Sequence, residues 1–252
     1  MPNSSKVFFL LLLTISALRG EVVERREING VDYHVAIASP ENIQILWKDQ
    51  NGKKLETFSR ARAFLEKQGR EPLVLMNGGI FEPGRIPSGV LIQDGKELCP
   101  LNLKNGKGNF FLKPNGVFYL LENGSGIVES SRFSGVRKSE KSIVGAVQSG
   151  PLLLDQGKIH HAFNKESRSQ LHRNGVGVRK DGMVVFLMSD FKSSKYPNLY
   201  AFAEAFKTLG CESALFLDGD LSQMRTGKAM QASRGRFASM IAIVEAIEAK
   251  SE

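Results

Sequence analysis

Two aspartates separated by one glycine, Asp218 and Asp220, are the residues best suited to chemistry in this chain of 252 residues. They end a short apolar run, 214–217, which is typical of a buried strand followed by a turn. Removing carboxylates from water is costly, so a pair at a strand end is expected to face a cleft, water, a cation or a basic side chain. Asp218 is therefore the first candidate for a catalytic carboxylate. An Asx-type turn that only ends the strand is the simpler interpretation.

Other polar groups stand at the ends of predicted strands and turns, where they could converge on these aspartates. The candidates for contact with a ligand are Asn77, Gly78, Gln148, Ser149, Asn174 and Ser222. The pair Gly78-Gly79, directly after a strand, also indicates unusual backbone angles or the close approach of another group. A glycine bulge or turn that contacts no ligand is the alternative interpretation.

Three charged or titratable residues extend the candidate site. Arg173 is the candidate for binding an anionic group such as phosphate, because a guanidinium group can bind two oxygens of a carboxylate or phosphate at once. Glu82 lies close to the glycine pair and is the candidate second carboxylate. His160 is a candidate for proton transfer. A surface arginine in a basic loop is the simpler interpretation of Arg173.

A divalent cation is the one cofactor that these residue types suggest. Carboxylate and carbonyl oxygens suit Ca²⁺ or Mg²⁺, so Asp218 and Asp220 with nearby carbonyls form a candidate cation site. The sequence contains no complete calcium-binding loop and no His-x-x-x-His or Cys-x-x-Cys spacing that would indicate zinc. His160 and His161 are neighbours and would face opposite sides of a strand, so they do not form a pair of ligands.

Short strands, mostly in hairpins, must position these residues. Strands are predicted over 31–37, 43–47, 72–76, 87–92, 143–147, 152–154, 174–178, 183–188, 214–217 and 240–244. We expect 43–47 to lie beside 31–37, and 108–112 to form a hairpin with 117–121. Helical spacing predicts one helix after Phe58 and another that an Asn198 cap begins. The pattern indicates an α+β fold with a mixed, largely antiparallel sheet of many short strands and hairpins and a few packed helices.

The N-terminus has the pattern of a secretory signal peptide. Lys6 precedes the apolar run 7–18, which is short for a membrane span, and small residues follow it. We expect residues 1–20 to be removed and 21–252 to form one domain in an exported protein, either periplasmic or secreted. An uncleaved anchor is the alternative, and no later segment is apolar enough to suggest an integral membrane domain.

The charge distribution limits the classes of partner that the sequence favours, and the two cysteines leave two alternatives. The formal net charge of +8 is scattered over the chain, which favours a solvated basic surface or attraction to an anionic substrate or envelope polymer. No basic run is interleaved with aromatic residues, so nucleic acid is not an expected partner. Cys99 and Cys211 could pair in an oxidising compartment or remain buried free thiols. Nothing in the sequence indicates the oligomeric state.

Seven short motifs occur in the order typical of one enzyme family. They are Asn77-Gly-Gly-Ile-Phe81, Pro87-Ser-Gly-Val90, Gly108-Asn-Phe110, Lys113-Pro-Asn-Gly-Val-Phe118, Gln148-Ser-Gly-Pro151, Arg173-Asn-Gly-Val-Gly-Val178 and Leu217-Asp-Gly219. From about Val31 to Val244 the chain resembles the phosphodiester glycosidase family, that of N-acetylglucosamine-1-phosphodiester alpha-N-acetylglucosaminidase, the uncovering enzyme, and in particular its bacterial exported members. Asp218 matches the first aspartate of the family motif. Asp220 stands where the family commonly has glycine or serine.

The resemblance implies an exported hydrolase that frees a sugar from the phosphate of a sugar-1-phosphodiester in envelope or exopolysaccharide material. Because a phosphate monoester is a weakly basic leaving group, the site needs a cation near the phosphate and a carboxylate near the anomeric carbon more than a strong general acid. Asp218 is the first choice for the nucleophile or base. A non-catalytic envelope module that binds an anionic glycan is the alternative function, and a nuclease or phosphatase that cleaves the P–O bond is a third.

Overall fold

The computed structural model describes residues 22–140, 142–233 and 235–246. The predicted leader, 1–20, lies outside the described residues. The described chain contains three α-helices and eighteen β-strands, and every strand pairing in it is antiparallel. This confirms the predicted α+β fold of short strands and few helices. None of the described helices has the length and apolar character needed to cross a bilayer.

The strands are distributed along the whole described chain. They are β1 (Glu24–Ile28), β2 (Val31–Ala38), β3 (Ile43–Leu46), β4 (Arg70–Asn77), β5 (Phe81–Glu82), β6 (Ile86–Pro87), β7 (Leu91–Gln93), β8 (Lys96–Cys99), β9 (Gly116–Leu121), β10 (Gly124–Glu129), β11 (Ile143–Ser149), β12 (Leu152–Asp155), β13 (Lys158–Ile159), β14 (Asn174–Arg179), β15 (Val184–Ser189), β16 (Cys211–Asp218), β17 (Met224–Thr226) and β18 (Met240–Ala246). The helices are α1 (Phe58–Lys67), α2 (Phe133–Ser139) and α3 (Leu199–Thr208).

These strands form three main sheets and one small hairpin. The seven-stranded sheet has the order β1-β2-β15-β14-β16-β12-β13, and the five-stranded sheet has the order β10-β9-β11-β7-β8. The four-stranded sheet has the order β17-β4-β18-β3, and β5 pairs only with β6. Strands that are distant in the sequence are therefore neighbours in every main sheet, so the fold depends on long-range pairing.

The three sheets bury their apolar faces in one shared core. Met76 of β4, Val147 of β11 and Leu217 of β16, one residue from each sheet, belong to the same buried cluster. In each of these strands the next residue is polar. The apolar core therefore ends at the same level in all three sheets, and polar side chains follow it. This arrangement brings polar side chains from three sheets to one end of the core.

The helices cover the outer faces of the sheets. Phe58 and Leu65 of α1 pack on the four-stranded sheet. Phe202 and Phe206 of α3 pack on the seven-stranded sheet. The predicted cap of α3 is confirmed, because the Asn198 side-chain oxygen accepts a hydrogen bond from the Ala201 N–H at 2.8 Å.

Two of the predicted pairings are wrong. The strand β3 pairs with β18, whereas β2 pairs with β1 and β15. Residues 109–111 form a 3-10 turn, and β9 pairs instead with β10 and β11. The local pattern of apolar residues located the strands in 43–47 and 117–121 but not their partners, because pairing is decided by the shared core and not by sequence proximity.

Both cysteines are buried free thiols. Cys99 lies in the core shared by the three sheets, and Cys211 lies in the apolar layer between the seven-stranded sheet and α3. Of the two alternatives that the sequence left open, the structure has the unpaired one.

The Gly78-Gly79 pair lies where two parts of the chain approach too closely for a side chain. A β-carbon on Gly79 would lie 2.8 Å from the Gln148 carbonyl oxygen and 3.0 Å from the Ser149 β-carbon. On Gly78 it would lie 2.3 Å from the Ser239 hydroxyl oxygen. Close approach, which is one of the two predicted reasons for this pair, is therefore confirmed.

We expect Gly79→Ala to lower the free energy of unfolding by about 2–3 kcal/mol, because the clash is with backbone that cannot rotate away. Urea denaturation followed by circular dichroism measures this loss. Gly124→Ala is the matched control, since a β-carbon at Gly124 meets nothing within 4 Å. Equal denaturation midpoints for the two variants would contradict the close-approach explanation.

Candidate active site

Three strand ends from two sheets meet around Asp218. Asp218 is the last residue of β16 and pairs in register with Asn174, the first residue of β14. Asn77, the last residue of β4, reaches across from the four-stranded sheet, and its side-chain Nδ2 donates to Asp218 Oδ2 at 3.3 Å. Asn174 Nδ2 donates to the Asn77 carbonyl at 2.9 Å and to Asn77 Oδ1 at 3.1 Å. The structure therefore brings together three of the predicted site residues.

The Asp218 carboxylate is partly buried and has an unusual affinity for protons. The pKa of Asp218 is raised to about 6, chiefly by burial and to a smaller extent by the negative charge of Asp220. The Gly219 N–H, which donates to Asp218 Oδ1 at 2.7 Å, and the Asn77 amide act in the opposite direction. A carboxyl group that titrates near neutrality is suited to act as a base or nucleophile.

The turn after Asp218 is held from both sides. The Ser222 hydroxyl donates to the Asp218 carbonyl at 3.2 Å, and the Ser222 N–H donates to the Gly219 carbonyl at 2.9 Å. The Gln223 N–H donates to Asn77 Oδ1 at 2.7 Å. Ser222 is fully buried. The Ser222 hydroxyl therefore fixes the turn that carries Asp218, and its contact with a ligand stays a prediction.

Gln148 and Ser149 are also part of the scaffold. The Gln148 amide makes four hydrogen bonds inside the protein, with Val90, Asn102 and Ser130 as its partners. The Ser149 hydroxyl donates to the Leu217 carbonyl at 2.8 Å and accepts from the Ile80 N–H at 3.2 Å. Both side chains are buried and already bonded within the protein, and their contact with a ligand stays a prediction. Ser149 ties β11 to β16 beneath the site, whereas Gln148 ties β11 to segments that lie outside β16.

Arg173 is buried beside Asn174, and its guanidinium group already bonds to the protein. Only 2% of the residue is exposed, its Nε donates to the Pro197 carbonyl at 3.0 Å, and its Nη2 donates to the Ser169 carbonyl at 3.1 Å. Burial lowers the pKa of Arg173 to about 10, so it keeps its charge at neutral pH. Two of its nitrogens thus face carbonyls inside the protein, and phosphate binding by Arg173 stays a prediction. The negative charge of Asp220 acts on both Arg173 and Asp218: it favours the charged form of Arg173 and raises the pKa of Asp218.

Glu82 and His160 lie away from the Asp218 carboxylate. Glu82 is exposed on the β5–β6 hairpin, and its side chain accepts from the Ser88 hydroxyl at 2.9 Å. His160 follows the edge strand β13, which β12 separates from β16, and its ring stacks on His161 and Phe163. In the described part of the chain neither side chain contacts Asp218, so the structure does not join them to it as catalytic partners.

His172 is a site residue that the sequence reasoning missed. Its Nε2 lies 3.1 Å from the Ser222 carbonyl, and its Nδ1 lies 2.8 Å from the Ser189 hydroxyl. Since a carbonyl only accepts, Nε2 carries the proton and Nδ1 accepts from Ser189. Burial lowers the pKa of His172, which favours this neutral form. The sequence feature that could have indicated His172 is its position directly before the motif that begins at Arg173.

The two aspartates alone do not complete a cation site. Across the ranges that the structure describes, no group of three or more His, Cys, Asp or Glu side chains is placed to hold a metal ion. Asp218 and Asp220 would supply two carboxylates, and the remaining ligands would have to be carbonyl oxygens or water. The cation hypothesis therefore stays a prediction.

Comparison with known proteins places this site in a family. The family model described as phosphodiester glycosidase matches residues 71–241, which include Asn77, Asn174 and Asp218. The uncharacterized protein YigE of Escherichia coli strain K12 is 38% identical over 205 residues, which cover 81% of this chain and 77% of YigE.

Two solved structures are similar in fold. The zebrafish N-acetylglucosamine-1-phosphodiester alpha-N-acetylglucosaminidase catalytic domain, auto-inhibited by its pro-peptide, has a TM-score of 0.59 at 18% identity over 88% of this chain and 81% of that one. A protein from Synechocystis has a TM-score of 0.55 at 14% identity over 88% of this chain and 61% of that one. At these identities the likeness concerns the fold alone.

Proposed function

Because this chain belongs to the phosphodiester glycosidase family, we propose that it hydrolyses the bond between the anomeric carbon of a sugar and the phosphate of a sugar-1-phosphodiester. The observation that carries this proposal is Asp218, a partly buried carboxylate with a pKa of about 6 at the meeting point of three strand ends. The leader pattern of residues 1–20 supports the further proposal that the protein is exported and acts on envelope or exopolysaccharide material.

The chemistry requires one carbon–oxygen bond to form and one to break. The anomeric carbon gains an oxygen, either from water that Asp218 deprotonates or first from Asp218 itself, and the phosphate oxygen leaves with the bonding electron pair. A phosphate monoester is a weakly basic leaving group, so no second carboxyl group has to protonate it. This fits a site in which Glu82 does not contact Asp218 within the described residues. The basic character of the chain favours approach of the anionic substrate.

Hydrolysis in ¹⁸O-labelled water tests the proposal. Residues 22–252 would be incubated with a panel of sugar-1-phosphodiesters, beginning with those of N-acetylglucosamine because the zebrafish relative acts on them by name. We expect label in the released reducing sugar. Label in the phosphate product would instead indicate P–O cleavage. Binding of an anionic glycan without hydrolysis of any diester would favour the non-catalytic envelope module, and a parallel series with chelator would test the cation hypothesis.

The pH dependence of kcat/KM should report the ionisation of Asp218. Because the ionised carboxylate is the active form, activity should rise about tenfold per pH unit below about pH 6 and level off above it. Removing the nearby negative charge in Asp220→Asn should lower the pKa of Asp218 and move this limb to lower pH. A pH–rate profile of both proteins measures the shift, and a limb unmoved in Asp220→Asn would count against Asp218 as the titrating group.

A further inference from the structure

Exposed apolar side chains are concentrated beside the Asp218 turn. Phe191 is 52% exposed, Leu221 is 51% exposed and Leu171 is 45% exposed, whereas single exposed apolar residues elsewhere need no explanation. Leu221 lies within the turn itself, between Asp220 and the buried Ser222. An apolar surface in this position is unusual for the rim of a site that is expected to bind a charged, hydroxylated substrate.

One buried histidine connects these residues. The Phe191 ring covers the His172 ring with their centroids 3.7 Å apart, and Tyr196 approaches the same ring edge-on at 6.1 Å. Leu171 precedes His172 in the chain, and the Ser222 carbonyl that His172 contacts belongs to the residue after Leu221. We call Leu171, Phe191, Tyr196 and Leu221 the apolar rim. The chain of contacts from the rim through His172 and Ser222 ends at the Asp218 carbonyl.

Positive charge accompanies the apolar rim. Lys192 and Lys195 follow Phe191 on the same loop and are exposed, and Arg168 is exposed shortly before Leu171. Within the described ranges, none of these three side chains forms an ion pair with a carboxylate. Two acidic residues lie on this side: Asp190 forms an ion pair with Arg25, and the charge of Asp220 acts on the buried Arg173. The rim therefore offers apolar surface and unpaired cations together.

We propose that the apolar rim receives the aglycone of the substrate, and that the preferred phosphodiester joins the sugar to an alkyl chain. This rests on the proposed function. If Asp218 acts at the anomeric carbon, the phosphate and then the aglycone must extend away from it, and the surface beside the Asp218 turn carries both exposed lysines and exposed apolar side chains. An alkyl chain would remove the apolar rim from water, while a glycan aglycone would leave it exposed.

A homologous series of substrates tests this proposal. Methyl, butyl and decyl diesters of N-acetylglucosamine-1-phosphate and glucose-1-phosphate would be assayed as monomers. Because each methylene that leaves water favours binding about threefold to fourfold, kcat/KM should rise at least about tenfold from methyl to decyl. In Leu221→Ser and Phe191→Ser the decyl-to-methyl ratio should fall to about two or less. Ile86→Ser, which alters an exposed apolar residue on the β5–β6 hairpin, is the matched control and should keep the wild-type ratio.

Failure of this proposal can be distinguished from failure of the proposed function. Wild-type hydrolysis that is equally efficient for all three chain lengths would overturn the alkyl-aglycone proposal and leave the hydrolase in place. If no diester is hydrolysed, calorimetric titration of Asp218→Asn with the same compounds decides the matter. Binding that tightens with chain length, and loses this dependence when Leu221→Ser is added, would support the rim as the site for the alkyl chain. Binding that is independent of chain length would overturn it.

Discussion

Asp218→Asn is expected to lower kcat for sugar-1-phosphodiester hydrolysis by about 1,000-fold or more, because the amide can neither attack carbon nor accept a proton from water. The same change should stabilise the fold above pH 6. The native protein keeps a carboxylate with a raised pKa partly out of water, and asparagine removes that charge. Loss of function and gain of stability in one variant would identify a residue retained for chemistry.

The sign of the stability effect depends on pH. The pKa of Asp218 is raised from 3.8 to about 6 on folding, so the folded state binds the proton more tightly and loses stability as pH rises between these values. This penalty is at most about 3 kcal/mol, and the lost hydrogen bond from Asn77 offsets part of the gain. We expect Asp218→Asn to gain about 1–2 kcal/mol at pH 8 and nothing at pH 4.

Urea denaturation at the two pH values measures the effect, alongside turnover at pH 8. Asp220→Asn is the matched control, because Asp220 lies in the same turn but is exposed. It should retain turnover within about tenfold, as a change at a neighbouring charge alters the pKa of Asp218 but not its chemistry. Full activity in Asp218→Asn, or equal destabilisation at pH 4 and pH 8, would refute the assignment.

Asn77→Ala should damage both stability and activity, since one amide joins β4, the Asp218 carboxylate and the Gln223 backbone. Truncation leaves a cavity and an unpaired N–H at Gln223. We expect a loss of about 2–4 kcal/mol in the free energy of unfolding and of about 100-fold in kcat/KM. Urea denaturation and steady-state kinetics measure the two losses.

Asn77→Asp separates the electrostatic role of Asn77 from its packing role. Aspartate keeps the volume and the acceptor for the Gln223 N–H, but it places a second carboxylate 3.3 Å from Asp218. The ascending limb of the pH–rate profile should then move up by about one pH unit or more. If the limb does not move, the group that controls activity is not Asp218.

The sequence was informative about strand ends and uninformative about which polar side chains remain free there. Asn77, Gln148 and Ser149 all follow apolar strands, so the sequence pattern predicted the same role, ligand contact, for all three. The structure separates them, because the partners that fill the Gln148 amide come from residues that are 18 to 58 positions away in the chain. A local sequence pattern does not identify partners so far away in the chain. For the same reason the contacts of His172 with Ser189 and Ser222 could not be predicted.

The sequence correctly predicted the features that depend on residues close together in the chain or on a property of one residue type. The cap at Asn198 was predictable because its acceptor serves an N–H three residues away. The close approach at Gly79 was predictable because only glycine tolerates it. Strand pairing was not, since β3 finds its partner in β18 near the other end of the described chain.

The hydrogen bond between Asn77 and Asp218 joins residues that are 141 positions apart. The candidate site is therefore absent from any N-terminal fragment that ends before Asp218, and it forms only when the first and last thirds of the chain have met. Closing so long a loop is slow relative to local hairpin formation. During refolding, fluorescence of the single tryptophan, Trp47, follows its burial at the end of β3, whereas the return of hydrolysis follows completion of all three sheets. We therefore expect the proposed hydrolytic activity to return late in folding, and a lag between the two signals would time the final assembly step.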